Sequence, residues 1–267
     1  MCGDDDGRGP AMPHARDDDD DRAGLAPATL AALRRCGATR PRRWLVAVTL
    51  LLGVLAGVGV TAATPAGERT FAALADTVQS LMSVTVPFLG ILLAHDLRRA
   101  PGTARLAPTM VAATLVAAAV GVFGVLVCAA ALVLAPGGTA ADTWRYAGTI
   151  ALGSVLVQVV AQLVGVGLGL LLRSFVVAAL ASIVLPLGLY ALLGVDALRP
   201  AQGWLTPYAT VRNLLSRDMD AVRWAQWLVV LLLWGVGLNA VGAARLRRRP
   251  PVSPPAATQG TPERSPA

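Results

Sequence analysis

The sequence predicts an all-α integral membrane protein, a six-transmembrane-helix bundle with both termini cytoplasmic. Three observations carry that reading. Hydrophobic residues make up 55% of the 267-residue chain and charged residues only 15%, where a soluble domain has about 25% charged. The apolar residues come in uncharged runs of the length, about 20 residues, that a helix needs to cross a hydrocarbon core about 30 Å thick. The charges collect at the chain ends and in the short segments between those runs.

In chain order, residues 1–24 (MCGDDDGRGPAMPHARDDDDDRAG) are acidic and poor in large apolar side chains. They cannot bury enough surface to offset their ordering entropy and are expected to be a disordered tail. Residues 1–22 carry a net charge of −5, which leaves +12 on the remainder of a chain whose total is +7. Residues 25–43 set Leu25, Leu30 and Leu33 among Arg34, Arg35, Arg40, Arg42 and Arg43. This reads as an amphipathic juxtamembrane segment, with a short surface helix over 28–36 that breaks before Pro41. No secretory leader is expected, because the first long apolar run begins only at Trp44.

The transmembrane domain is expected over 44–245. Its spans are 44–63, 78–94, 109–134, 147–172, 175–193 and 224–244. The fourth and fifth are separated by a length argument. Residues 147–193 are apolar almost throughout, and one straight helix over that stretch would measure about 70 Å, more than twice the core. The run must fold back, and Arg173-Ser174 is the polar break near its middle. Arg173 therefore marks a tight hairpin turn at one membrane face, where its guanidinium reaches water. The connection over 195–223 contains GWLTPYATVRNLLSRDMDAVRW. Trp204, Tyr208 and Trp224 suit a membrane interface, and Val211, Leu214, Leu215 and Val222 suggest an amphipathic helix lying at the outer surface. Residues 246–267 form a basic, Pro-rich tail expected to be disordered.

Orientation follows from the arginines in the short flanking segments. With the N-terminus inside, thirteen arginines lie on the cytoplasmic side and six on the other. The positive-inside rule then places both termini in the cytoplasm.

Composition also excludes chemistry. All 23 basic residues are arginine. Without lysine the chain can build neither a P-loop nor a Schiff base, so ATP hydrolysis must come from a partner. Cys2, Cys36 and Cys128 are scattered and make no C-x-x-C. His95-Asp96 is expected to be a solvated pair at the end of the second span, since neither a serine-protease constellation nor H-E-x-x-H accompanies it. No metal, no directly bound cofactor and no nucleic acid are expected. Lysine replaced throughout by arginine, with abundant alanine, points to a GC-rich bacterial genome and hence to a bacterial plasma membrane.

Inside the spans, Gln158 and Gln162 are four residues apart and share a helix face with Ser154. Asn239 lies in the last span. Such groups must be satisfied within the protein. They either line a substrate path or make interhelical hydrogen bonds worth about 0.6 kcal/mol each. Gly53-x-x-x-Gly57 and Gly165-x-x-x-Gly169 offer small faces for close helix packing, within the bundle or in a dimer. Pro87 and Pro186 lie inside spans and are candidate kinks.

The cytoplasmic segment LLAHDLRRAPGTARLAP presents Asp96, Arg98, Arg99, Gly102, Thr103 and Arg105. GVGLGLLLRSFVVAALASIVLPL presents Gly169, Leu171, Leu172, Arg173, Ser174 and Ala178. WLTPY (204–208) precedes the last span. Together, over about residues 40–248, these resemble the permease subunits of ABC-2 type transporters, chiefly bacterial exporters. The resemblance implies a transmembrane half of an ABC exporter. Two copies, or one copy and a homologue, would pair in the lipid membrane, and two separate ATP-binding subunits would dock on the cytoplasmic loops. It implies an ATPase-coupling loop at Asp96, Arg98, Arg99, Gly102, Thr103 and Arg105, with ATP used by the partner and no covalent chemistry in this chain. Gln158, Gln162 and Asn239 would be the candidate substrate path. The sequence departs from the family in having Asp96 where Glu is commoner, and in lacking the usual basic residues at the start of the third span. A membrane anchor or assembly scaffold that holds partners with its charged tails is the alternative. A secondary transporter is disfavoured, because no acidic residue lies deep in an expected span.

Overall fold

The helices begin where the sequence supplies a cap or a proline. Pro41 sits in the first turn of the first long helix, where its missing N–H costs nothing. The Ser174 hydroxyl accepts a hydrogen bond from the Val177 N–H at 3.5 Å, and the Asp220 carboxylate accepts one from the Arg223 N–H at 2.7 Å, each an N-cap. The computed structural model describes residues 17–37, 39–99, 106–215 and 219–248. Its helices are α1 (Asp17–Cys36), α2 (Arg40–Ala63), α3 (Phe71–Arg99), α4 (Leu106–Leu134), α5 (Ala147–Leu171), α6 (Phe175–Leu192), α7 (Arg199–Leu205), α8 (Pro207–Leu215) and α9 (Ala221–Arg247). Helix α9 winds as a π-helix over Leu231–Gly237. Among the described residues there is no strand, and six helices (α2 to α6 and α9) are long and apolar enough to cross a membrane. The chain is thus helical and reads as a multi-pass membrane protein.

Several boundaries differ from the expected spans. Helix α3 outruns 78–94 at both ends because Phe71, Leu74 and Ala75 at one end and Leu97 at the other are buried against neighbours. Helix α2 starts at Arg40 rather than Trp44, since Pro41 is accommodated in its first turn. Helix α1 reaches back to Asp17, inside the acidic segment expected to be disordered. Residues 1–16 and 249–267 lie outside the described residues.

The bundle is built around α3 and α5. In α5 67% of the apolar stretch is buried and in α3 61%, against 11% in α6. Glycine makes this possible. A Cβ at Gly165 would lie 2.1 Å from the Pro87 carbonyl oxygen, and one at Gly90 2.6 Å from the Gln162 carbonyl oxygen. The two backbones therefore touch. Gly169 faces Ile91 and Ala94 in the same way. Gly121 of α4 abuts Val155 of α5, and Gly167 of α5 abuts Leu238 of α9. Both G-x-x-x-G faces are used within the chain, because Gly53 and Gly57 meet Met82 and Val127.

The turn over 172–174 between α5 and α6 is short, and Arg173 is exposed in it. Helix α6 then returns along the bundle. Tyr190 near its end lies edge-on to Tyr208 of α8, with ring centroids 4.7 Å apart, and Leu214 of α8 abuts Gly153 near the start of α5. The hairpin expected at Arg173-Ser174 is therefore present. Helices α7 and α8 pack on the bundle through one face. Leu214 and Leu215 are buried, Trp234 donates its indole N–H to the Leu205 carbonyl at 2.9 Å, and Gln202 donates to the Tyr190 carbonyl at 2.8 Å. At that same end Arg69 ties two loops together, bonding the Thr64 carbonyl at 2.9 Å and the Pro136 carbonyl at 2.6 Å.

Candidate functional site

The other end of the bundle gathers arginines. Helix α3 ends there at Arg99, so Asp96, Arg98 and Arg99 occupy its last turn. Gly102, Thr103 and Arg105 belong to the stretch 100–105, outside the described residues.

Asp96 is paired. Its carboxylate forms an ion pair with Arg42 at the start of α2. The Arg42 guanidinium is 5% exposed while the Asp96 side chain is 51% exposed. Arg42 also donates to the Arg35 carbonyl at 2.8 Å and the Leu92 carbonyl at 3.2 Å. A buried guanidinium is tolerable only when its donors are used and its charge is countered, and here both conditions hold. One side chain thereby joins the C-terminal end of α1, the start of α2 and the end of α3.

Arg98 joins α3 to the hairpin. Its guanidinium donates to the Gly169 carbonyl at 3.3 Å and to the Leu172 carbonyl. These are carbonyls of the last turn of α5, which has no helical partners left for them, and a cation there also complements the helix dipole. Arg99 is exposed. His95 is not the solvated neighbour of Asp96 that the sequence suggests. Its ring lies edge-on to Phe175 at the start of α6, with centroids 6.4 Å apart, and its Nε2 is buried without a hydrogen bond. The end of α3 thus meets α2, α5 and α6 directly and is joined to α1 through Arg42.

The intramembrane polar residues sit elsewhere. Ser154, Gln158 and Gln162 form one face of α5, as their spacing predicts, and all three are fully buried. Gln158 donates to the Gln79 side chain at 2.8 Å and to the Gln79 carbonyl at 3.0 Å. Gln79 in turn donates to the Gly121 carbonyl at 3.1 Å. With its amide oriented to satisfy both ends, Gln162 donates to the Val86 carbonyl at 2.6 Å and accepts from the Gly90 N–H at 3.3 Å, bracketing Pro87. Asn239 is separate from these and bonds the Leu163 carbonyl at 2.8 Å and the Gly235 carbonyl at 2.6 Å, beside the π-helical stretch. The side chains hold α3, α4, α5 and α9 together. The oxygens Gln158 Oε1 and Asn239 Oδ1 remain buried without partners. Gln162 alone of the three reaches a sizeable cavity, about 230 Å³, lined chiefly by Val46, Leu89, Leu93 and Val116 with Arg42 at its wall.

Two residues escaped the sequence reading. Arg42 counted there only as one of a cluster of topology-setting charges, and nothing in its neighbours distinguishes it from Arg40 or Arg43. Gln79 was detectable, as an amide one residue inside an expected span. Its partner Gln158 is 79 positions away, so their pairing was not.

No protein-family model matches the chain, and no curated protein matches its sequence.

Proposed function

We propose that this chain is the membrane-spanning permease subunit of an ABC-2 type transporter in a bacterial plasma membrane. It would export a small molecule, a lipid-like compound or a drug. Two ATP-binding subunits power it from the cytoplasm, and a second permease copy or homologue completes the path. The arginine-rich end is the cytoplasmic face, in keeping with the positive-inside rule.

The observation that carries this reading is the pair of tethers at the end of α3. Asp96 is held by Arg42 of α2, and Arg98 holds the end of α5. A force applied to the segment 95–105 is therefore delivered to the first span through one tether and to the fourth-to-fifth hairpin through the other. A coupling element between a nucleotide-driven subunit and a helical bundle requires such a connection, because packed helices move as rigid bodies about their contacts. Asp96 and Arg98 act within the chain in this scheme, while Arg99, Gly102, Thr103 and Arg105 face the ATPase. The buried Gln158, Gln162 and Asn239 act as helix-to-helix links. Of these, Gln162 alone also borders a candidate path.

The test is purification of the tagged chain from its host's membranes in mild detergent, with identification of co-purifying proteins and assay of ATPase activity. A stoichiometric subunit bearing a G-x-x-x-x-G-K-[ST] loop, lost when Arg99 and Arg105 are changed to Glu, supports the permease. Absence of any nucleotide-hydrolysing partner shifts the assignment to an anchor or scaffold.

A further inference from the structure

The cavity that Gln162 borders has a volume of about 230 Å³ and is built by five helices. Among the described residues, Leu33 of α1, Val46 of α2, Leu89 of α3 and Val116 of α4 give it aliphatic walls, and its polar side chains are Arg42 of α2 and Gln162 of α5. These two are alike in what they can still offer. Arg42 is countered by Asp96, and its bonds to the Arg35 carbonyl, the Leu92 carbonyl and Asp96 use three of the five N–H groups of a guanidinium. Gln162 spends one amide N–H on the Val86 carbonyl and its oxygen on the Gly90 N–H, and an amide has a second N–H. The wall therefore offers hydrogen-bond donors, with the charge of Arg42 already balanced. Volume sets the size of an occupant. An apolar cavity of about 150 Å³ holds a benzene molecule, so this one has room for about nine non-hydrogen atoms. A drug-sized ligand needs about 300–1,000 Å³ and does not fit. Water fills such a space poorly, because each molecule needs about two to four polar partners and the aliphatic walls supply none. Left empty, the lining forfeits its dispersion contacts.

We propose that this cavity binds a neutral, ring-sized molecule carrying one hydrogen-bond acceptor, of the class of the aryl ketones. The ring fills the space between the aliphatic walls, and the acceptor takes a remaining N–H of Gln162 or Arg42. An acid is disfavoured. Arg42 already has Asp96 as its partner, so a second carboxylate must displace that one or stay unpaired after losing its water. A hydrocarbon of the same shape leaves the donors unused. As a transported substrate such a molecule rests on the permease reading; as a bound one it does not.

The experiment uses the full chain in mild detergent and fluorine NMR titrations of three probes of nearly equal size. They are para-fluoroacetophenone, which has a carbonyl, para-fluorocumene, which has no acceptor oxygen, and para-fluorobenzoate, an anion. Para-fluoroacetophenone is expected to bind saturably and about fivefold more tightly than para-fluorocumene, the factor that one net hydrogen bond supplies. Para-fluorobenzoate is expected to bind least. Val116→Phe fills the cavity from α4 and should abolish saturable binding. Val122→Phe, at an exposed position of the same helix, should leave it unchanged, and because partition into the micelle is common to both variants their difference isolates the cavity. Should Val116→Phe fail to fold, Val46→Phe fills the same space from α2, and the comparison of the ketone with the hydrocarbon on the unmodified protein stands by itself. Absence of saturable binding, equal affinity for ketone and hydrocarbon, preference for the benzoate, or binding that survives the filled cavity overturns the proposal. None of these outcomes bears on the ATPase partner, so failure here and failure of the permease reading are separate results.

Discussion

Arg42 and Asp96, 54 positions apart in the chain, form an ion pair in which the cation is buried and the anion stands half in water. The asymmetry decides which partner the bundle can spare. Losing Arg42 frees a carboxylate that is already half solvated. Losing Asp96 leaves a buried guanidinium with two carbonyls and no counter-charge.

Asp96→Ala is therefore expected to destabilise by about 3 kcal/mol, the cost of stranding a buried charge. Arg42→Met, which keeps most of the packing, should cost about 1–2 kcal/mol, the scale of the hydrogen bonds it forfeits. The double variant should be no worse than Arg42→Met alone. Reversible unfolding in mixed micelles measures all three, and a larger cost for Arg42→Met than for Asp96→Ala would contradict the assignment.

Gln79 and Gln158 meet inside the bundle, so their side chains should be coupled. A double-mutant cycle with Gln79→Leu and Gln158→Leu is expected to return about 0.6 kcal/mol and no more than about 1.7 kcal/mol, the range found for interhelical hydrogen bonds in membranes. A coupling of zero would show that the two amides do not depend on each other.

Gly165 and Gly59 make opposite predictions. A Cβ at Gly165 meets the Pro87 backbone at 2.1 Å, while one at Gly59 meets nothing within 4 Å. Gly165→Ala must push α3 and α5 apart and is expected to cost more than about 3 kcal/mol, beyond ordinary overpacking. Gly59→Ala should be neutral or stabilising by up to about 1 kcal/mol. Thermal unfolding of the two variants side by side provides the comparison.

The orientation is open to chemical labelling. With Cys2 and Cys36 replaced by Ser, Ala141→Cys and Arg248→Cys lie at opposite ends of the bundle. In intact cells a membrane-impermeant maleimide should label Ala141→Cys alone, and after lysis both. Labelling of Arg248→Cys in intact cells would invert the topology.

The number of membrane-length helices and the hairpin at Arg173-Ser174 were legible because they follow from length and from a break in hydropathy, both local properties. The shared face of Ser154, Gln158 and Gln162 was legible from spacing alone. Its partner was not, since Gln79 reaches it only after α3 and α5 meet at Gly90 and Gly165. Helix ends were misjudged where burial of Phe71 and Leu97 extends α3 past its most apolar stretch. The role of Arg42 was invisible for the same reason as the pairing of Gln79 with Gln158. That role depends on Asp96 and on two carbonyls that only the folded bundle brings to it.

The proposed docking segment can be tested where it stands. A photocrosslinking amino acid placed at Arg99 or Gly102 in the full chain, in its own host's membranes, would report what lies against the end of α3. If the chain is an ABC-2 permease, both positions yield a crosslink to a P-loop ATP-binding subunit, and its yield changes when ATP is depleted. If instead no nucleotide-binding protein is captured there, while probes within residues 1–24 capture a partner, the chain is an anchor and the transport reading falls.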